Sequence, residues 1–257
     1  MPMTDLFSLA GRTALVTGGS RGIGRMIASG FLQAGARVYI SSRKTADCEA
    51  TAGELSALGE CLCLPADVST LEGVQALAAA YGARESRLDI LVNNAGAAWG
   101  EPFDTFSEKG WDKVVDLNLK TPFFLTQALH SLLKAGASEE QPAKVINVAS
   151  IDGIAVNPLE TYSYAASKAG LIQLTRRMAM RLIEDRIVVS AIAPGAFASA
   201  MNRAARDHGE EVARRIPARR IGRDDDMAGA AIYLASRAGD YVVGTTLVVD
   251  GGVIHGR

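Results

Sequence analysis

This chain has few of the features that tie a protein to a membrane, a metal ion or a nucleic acid. No apolar run reaches the roughly 18 residues that a membrane-spanning helix needs. The formal net charge is −1, from 27 basic and 28 acidic residues, so nothing attracts the whole molecule to nucleic acid or anionic lipid. Cysteine is scarce: Cys48, Cys61 and Cys63 are too few for a metal quartet or a disulfide framework. The Cys61-Leu62-Cys63 spacing reads as one face of a short strand, and all three are taken as structural residues of a reducing compartment. His130, His208 and His255 are scattered, which points to structural roles, and no metal site is expected. The first eight residues lack a basic start followed by an apolar core, so no signal peptide is expected and the location reads as cytoplasmic. Internal repeats, low-complexity tracts and linkers are missing too.

What is present is an alternation. The chain has 257 residues, 48% of them hydrophobic, enough for a sizeable core in a single domain over 1–257. Apolar, strand-like runs fall at Thr13–Thr17, Arg37–Ser41, Glu60–Pro65, Ile90–Asn93, Lys144–Ser150, Ile187–Ala193 and Thr246–Val249. Helical patterns fill 22–34, 45–58, 70–83, 108–134, 162–184 and 224–236. Alternating strands and helices imply an α/β fold: a Rossmann-type, doubly wound parallel sheet of about seven strands with helices on both faces. In such sheets ligands lie beyond the carboxyl ends of the strands. That rule puts the Gly18 turn, Asp67, Asn93-Asn94, Ser150 and Pro194-Gly195 on one rim. The stretch 196–223 breaks the rhythm and is long for a loop, which predicts a lid or binding segment.

The stretch from Arg12 to Arg43 is the part with the clearest purpose. A buried strand runs into Gly18-Gly19-Ser20-Arg21-Gly22-Ile23-Gly24, then a helix, then a second strand. Glycines let backbone approach a phosphate closely, and free N–H groups at a helix start favour an anion. The spacing is G-x-x-x-G-x-G rather than G-x-G-x-x-G, but strand and helix flank the turn as dinucleotide binding requires. An acidic residue at the end of the second strand would select NADH; here Ser42 and Arg43 stand there, with Arg21 nearby. Two guanidiniums suit a 2′-phosphate, which favours NADP(H), while the alternative is that both are solvated surface charges.

Two further groups point to proton chemistry. Tyr164 and Lys168, four apart in a helical pattern, share one face. A phenol titrating near 10 exchanges protons poorly at neutral pH, and a neighbouring cation is expected to lower it into working range. The other reading is a surface pair. Ser150 ends a strand fourteen residues before Tyr164, where its hydroxyl could meet a substrate oxygen or simply cap a turn. Asp224-Asp225-Asp226 opens a helical pattern and reads as capping rather than metal binding.

Taken together, Thr17-Gly-Gly-Ser-Arg-Gly-Ile-Gly24, Asn93-Asn-Ala-Gly96, Ser150, Tyr164-x-x-x-Lys168, Pro194-Gly195 and Val249-Asp-Gly-Gly252 closely resemble the short-chain dehydrogenase/reductase family over essentially the whole chain. The resemblance implies that Gly18, Ser20, Arg21, Gly22, Ile23 and Gly24 hold the cofactor phosphates, with Ser42 and Arg43 at the adenosine end. Asp67 and Val68 would contact the adenine, and Asn94, Ala95 and Gly96 would line the cleft. Pro194, Gly195 and Ser199 would face the nicotinamide carboxamide, Ser199 replacing a threonine common in the family. Asn118, Ser150, Tyr164 and Lys168 would be the catalytic set, with Asn118 ordering a water linked to Lys168 and Lys168 also binding the ribose. The Ser150–Tyr164 interval is one residue longer than in the fatty-acid-synthesis members. That interval and Asn94–Gly100 resemble the 3-oxoacyl reductases, in particular those tied to rhamnolipid synthesis.

The resemblance therefore implies NADPH-dependent reduction of a 3-oxoacyl thioester carried on acyl carrier protein or coenzyme A. Trp99, Phe103, Ile151, Val156, Phe197, Met201 and Ile254 are candidate apolar pocket residues. Arg203, Arg206, Arg214, Arg215, Arg219, Arg220 and Arg223 give the lid a basic excess that either meets an acidic carrier or is a wet helix face. Rivals are a sugar, polyol or xenobiotic reductase of the same family and a non-catalytic NADP-binding regulator. The family's dimer and tetramer contacts imply a homo-oligomer.

Overall fold

Strand β1 (Thr13–Thr17) is five residues buried on both faces, and the rest of the sheet is built outward from it. In the computed structural model, which describes residues 3–256, β1 pairs with β2 (Arg37–Ser41) on one side and β4 (Ile90–Asn93) on the other. With β3 (Cys61–Cys63), β5 (Ala143–Val148), β6 (Ile187–Pro194) and β7 (Thr246–Val249), the sheet has seven parallel strands in the order β3-β2-β1-β4-β5-β6-β7. The order reverses between β1 and β4, so the carboxyl ends of these two strands flank the crevice where such sheets bind ligands.

Helices cover both faces. On one lie α2 (Gly22–Gln33), α3 (Thr45–Leu55) and α11 (Asp224–Ala235), packed through Ile27, Phe31, Met227 and Leu234. On the other lie α4 (Leu71–Gly82), α6 (Thr121–Ala128) and α8 (Tyr162–Leu182), packed through Leu77, Leu125 and Met178. Among the described residues no helix is long and apolar enough to cross a membrane. A first helical turn, α1 (Met3–Leu6), precedes the sheet.

Charged groups fasten the amino ends of the strands. Buried Arg12 donates to the carbonyls of Asp89 (3.0 Å) and Pro142 (2.8 Å), and Asp89 accepts the Thr13 N–H at 2.7 Å. Lys144, at the start of β5, pairs with Asp240 at 2.7 Å. This leaves the opposite rim, at the carboxyl ends, for ligands.

The structure departs from the sequence reading in three places. The helical pattern over 108–134 is broken into α5 (Glu108–Val115), a π-helical turn (Asp116–Lys120), α6 and α7 (His130–Gly136). A single apolar periodicity does not show where a residue is inserted into the helical ladder. The segment 196–223 contains two short helices, α9 (Arg203–Asp207) and α10 (Gly209–Arg214). Finally, Cys48 and Cys63 form a disulfide, with Cα atoms 5.7 Å apart, and only Cys61 is free. Cys63 pairs in register with Ile40 on the neighbouring strand, and α3 returns over that strand, a meeting the local spacing could not reveal.

Candidate active site

The glycine turn has the shape of a phosphate cradle. Gly18 (φ +64) and Gly22 (φ +53) take left-handed backbone that other residues adopt only with strain. A Cβ on Gly24 would collide with the Gly18 carbonyl and the Asn94 amide, so backbone stays close to backbone there. No side chain caps α2, whereas Thr70 caps α4 and Ser107 caps α5. The first N–H groups of α2, from Gly22, Ile23 and Gly24, are therefore available to an anion. Ser20 presents its backbone inward, its carbonyl accepting from Thr51 Oγ1 at 3.0 Å. Arg21, in the glycine turn, and Arg43, just beyond half-buried Ser42 at the end of β2, are exposed, and among the described residues neither arginine has an ion-pair partner. Asp67 shapes the turn after β3 by accepting from Ser69 N (3.1 Å) and Oγ (2.7 Å), and buried Val68 accepts from Thr121 Oγ1 at 2.6 Å.

Across the crevice, Asn94 binds the carbonyls of Thr17 (2.8 Å) and Gly18 (3.2 Å). Gly96 leaves room for its neighbours: a Cβ there would stand 3.1 Å from Asn118 Oδ1 and 3.8 Å from Lys168 Nζ. Asn118 sits in the π turn, a form often found at functional sites, and clamps Ala97 through both backbone atoms, at 2.8 and 2.9 Å. Its amide also reaches Ser167 Oγ at 3.1 Å, so its side chain fixes the cleft wall against α8. Pro194 ends β6; Gly195 follows, packed so tightly that a Cβ would lie 2.7 Å from Asp250 Cβ.

Ser150, Tyr164 and Lys168 converge because the turn after β5 (Ile151–Gly153) lies directly on α8. A Cβ on Gly153 would be 2.6 Å from the Lys168 carbonyl carbon. Ser150 Oγ accepts the Asp152 N–H at 3.1 Å, and the hydroxyl acts on the Tyr164 phenol strongly enough to oppose its rise. Lys168 is buried; its Nζ donates to the Val148 carbonyl at 2.6 Å and lies 5.7 Å from the Tyr164 ring centre. One expectation is corrected here. Burial brings the Lys168 ammonium down to about 8, and burial raises the Tyr164 phenol, with Asp152 adding to the rise and Ser150 opposing it. Burial acts on both groups, and proximity to Lys168 alone does not bring the phenol down. At neutral pH Tyr164 is a protonated acid, the form needed to give a proton to an alkoxide.

Residues 18–254 match the family model described as Enoyl-(Acyl carrier protein) reductase (adh_short_C2). The chain is a short-chain dehydrogenase/reductase. Its similarity to a rhamnolipids biosynthesis 3-oxoacyl-[acyl-carrier-protein] reductase of Pseudomonas aeruginosa is 47% identity, over 97% of this chain and 99% of that protein. A 2-dehydro-3-deoxy-D-gluconate 5-dehydrogenase of Escherichia coli is 39% identical, with 96% of each chain covered. Among solved structures, a Pseudomonas aeruginosa RhlG/NADP active-site complex superposes with a TM-score of 0.94 at 48% identity, covering 97% of this chain and 98% of that one. A Burkholderia cenocepacia gluconate 5-dehydrogenase in complex with NADP and tartrate gives 0.91 at 34% identity, covering 100% of both. The motif-based resemblance is borne out at the level of family and fold.

In this short-chain dehydrogenase/reductase the sequence reading missed residues that act from behind the site. Thr17 Oγ1 accepts the N–H groups of Asn94 and Ala95, both at 3.0 Å, tying β1 to the turn after β4. A buried chain runs from Asn93 through Asn147 (2.9 Å) to Thr175 (2.9 Å) on α8, setting the register of the helix that bears Tyr164 and Lys168. The available signal was Asn147 itself, a polar residue inside Val145-Ile-Asn-Val148. Of the candidate pocket residues, Phe103, Val156 and Met201 are exposed at the rim, and Trp99 packs on Gly110 beneath Lys113. Phe197 belongs instead to the core, where it fills the space left by Gly222. Ser199 lies over Gly22, bringing the 196–223 segment onto the glycine turn. The segment's basic excess is partly neutralised: Arg206 pairs with Asp207 (2.7 Å), Arg215 with Glu211 (3.1 Å), and Arg220 forks onto Asp226, with Nη2–Oδ1 at 2.9 Å. The Arg203 side chain lies outside the described residues. Asp226 also caps α11, as its place at the helix start suggested.

Proposed function

We propose that this enzyme reduces a 3-oxoacyl thioester to the 3-hydroxyacyl product with NADPH. The observation that carries the reading is the convergence of a hydroxyl donor pair, Ser150 and Tyr164, with buried Lys168 across the crevice from an uncapped glycine turn. Support for the substrate class comes from the 47% identity to a 3-oxoacyl-[acyl-carrier-protein] reductase and from the apolar rim of Phe103, Val156 and Leu159.

The glycine cradle fits a pyrophosphate, and Arg43 and Arg21 fit a 2′-phosphate. When bound, the cofactor supplies hydride; everything else is position and protons. Ser150 and Tyr164 hold the substrate's carbonyl oxygen, and the charge developing there is met by their two O–H groups. Tyr164 then transfers its proton to that oxygen. Lys168, near the titration range at physiological pH, holds the nicotinamide ribose and returns a proton to the phenol, with Asn118 fixing a relay water. The NADPH preference favours reduction as the working direction. The 196–223 segment closes over the cleft as a lid through Ser199. The unpaired lid arginines meet an acidic carrier protein or coenzyme A phosphates. We further infer a homo-oligomer, dimer or tetramer, from exposed Trp111, Phe123 and Met180 on α5, α6 and α8.

NADPH oxidation measured across 3-oxoacyl thioesters of several chain lengths, 2-dehydro-3-deoxy sugar acids and simple ketones tests the reading. Thioester turnover, lost in Tyr164→Phe while NADPH still binds, is the expected result. Inert thioesters with active sugar acids would favour the second reading, to which the 39% identity to the gluconate-type dehydrogenase lends its weight.

A further inference from the structure

We propose that Cys48 and Cys63 form a thiol–disulfide site, open to small disulfides of the glutathione type, that governs how tightly the enzyme holds the 2′-phosphate end of NADPH. The coupling rests on the NADP reading above; the pairing of the two cysteines does not.

Ser42, Arg43 and Lys44 form the whole connection between the end of β2 and Thr45, the first residue of α3, and Cys48 lies on the first turn of that helix. On the sheet, Cys63 ends the edge strand β3, in register with Ile40, and Ala66 N then binds the Ser42 carbonyl at 3.1 Å. The disulfide therefore ties the start of α3 to β3, and the β3–β2 pairing completes a loop around Ser42 and Arg43 whose last link is hydrogen-bonded, not covalent. The buried side of α3 is small, made of Cys48, Thr51, Ala52 and Leu55. Its polar tethers to the glycine turn and the helix after it are Thr51 Oγ1 on the Ser20 carbonyl at 3.0 Å and an exposed ion pair, Glu54 with Arg25 at 2.9 Å. With the disulfide closed, the helix start is pinned and the Arg43 turn is pre-organised, which removes part of the ordering cost of binding. With the disulfide open, the helix start is held by the Thr51 contact, the exposed Glu54–Arg25 pair and its small buried face, a looser hold on the Arg43 turn.

Both states are packable. Cys48 Sγ lies 3.5 Å from the Ile40 carbonyl, so a reduced thiol has an acceptor in place. Cys63 is partly exposed at the sheet edge and Cys48 is fully buried, so attack begins at Cys63. In the oxidising direction the Cys63 thiolate attacks one sulfur of the small disulfide and expels one thiolate. Cys48, deprotonated, then attacks the Cys63 sulfur and expels the second. Two protons and two electrons pass from the cysteines to the small disulfide, which leaves as two thiols. Buried Cys61, whose thiol burial raises to about 11, takes no part. Disulfides in reducing compartments are usually transient and regulatory, which fits a site that cycles.

The test uses the full-length enzyme poised with oxidised glutathione or with dithiothreitol. Thiols are counted after denaturation, and NADPH and NADH affinities are measured by fluorescence of the bound cofactor. The expected result is one thiol per chain after oxidation and three after reduction. NADPH should bind about three- to tenfold more weakly to the reduced form, with NADH changed less than twofold. Cys48→Ser and Cys63→Ser should each match the reduced wild type under both treatments. Three thiols after oxidation, a disulfide that resists dithiothreitol in the folded enzyme, or equal NADPH affinity in the two states would each overturn the proposal. Failure of both states to bind NADPH would overturn the cofactor reading and the coupling with it, while the thiol count would still show whether the pair forms.

Discussion

Replacing Gly153 with alanine strikes the contact that brings Ser150 to Tyr164 without touching either residue. A Cβ there would sit 2.6 Å from the Lys168 carbonyl carbon, 2.7 Å from Ala169 N and 2.8 Å from the Lys168 carbonyl oxygen. All three are backbone atoms in the middle of α8, so the 151–153 turn must yield rather than the helix. Reaching an ordinary contact near 3.4 Å moves the turn by roughly 0.8 Å, and Ser150 moves with it. Misplacing a catalytic group by about 1 Å costs on the order of 100-fold, so kcat should fall about 10- to 100-fold. The overpacking itself costs about 1–3 kcal/mol, or about 3–10 °C in Tm for a chain of this size. NADPH affinity should stay within about threefold, because the glycine turn and Arg43 lie on other strands. Steady-state kinetics with a 3-oxoacyl thioester, a cofactor titration and a melting curve together decide the matter. Wild-type kcat in a folded Gly153→Ala enzyme would refute the claim that this contact sets the active-site geometry.

Other expectations follow from the same structure. Lys168 titrates at about 8 in the fold against 10.5 in its ordinary state, so folding releases a proton between those values. The burial penalty is complete below pH 8 and fades as pH rises towards 10.5; by linkage it amounts to roughly 3 kcal/mol. Lys168→Met should therefore be inactive yet more stable than wild type at pH 7, by an amount that shrinks at pH 9.5; thermal melts at both pH values check this, and a variant less stable at pH 7 would contradict it. Asn147→Leu breaks two buried hydrogen bonds, to Asn93 and Thr175, and should cost about 2–3 kcal/mol in urea unfolding together with a reduced kcat. Arg43→Glu should weaken NADPH binding about 10- to 100-fold while leaving NADH binding nearly unchanged, because only the 2′-phosphate meets the new charge.

The sheet was legible because β1, β2, β4 and β7 are apolar runs whose ends coincide with glycine, asparagine or charged residues, and their limits match the pattern to the residue. The rim residues were legible for the same reason: each follows a strand, and a parallel sheet places every such position on one edge. What periodicity could not show was anything made by two distant segments. The Cys48–Cys63 disulfide joins a helix to an edge strand, and the Asn93–Asn147–Thr175 chain crosses from the sheet to α8. The direction of the Tyr164 shift was misjudged because the spacing to Lys168 gives proximity but not dryness, and burial acts on both groups. The π turn at Asn118 was hidden since one inserted residue leaves the apolar pattern on either side intact.

The most direct test of the central claim is product analysis after NADPH turnover on a 3-oxoacyl thioester and, in parallel, on the enoyl thioester of the same chain length. The expected result is a 3-hydroxyacyl product, formed one for one with NADPH consumed, and no consumption with the enoyl thioester. Saturated product from the enoyl thioester, with the 3-oxoacyl thioester untouched, would contradict it.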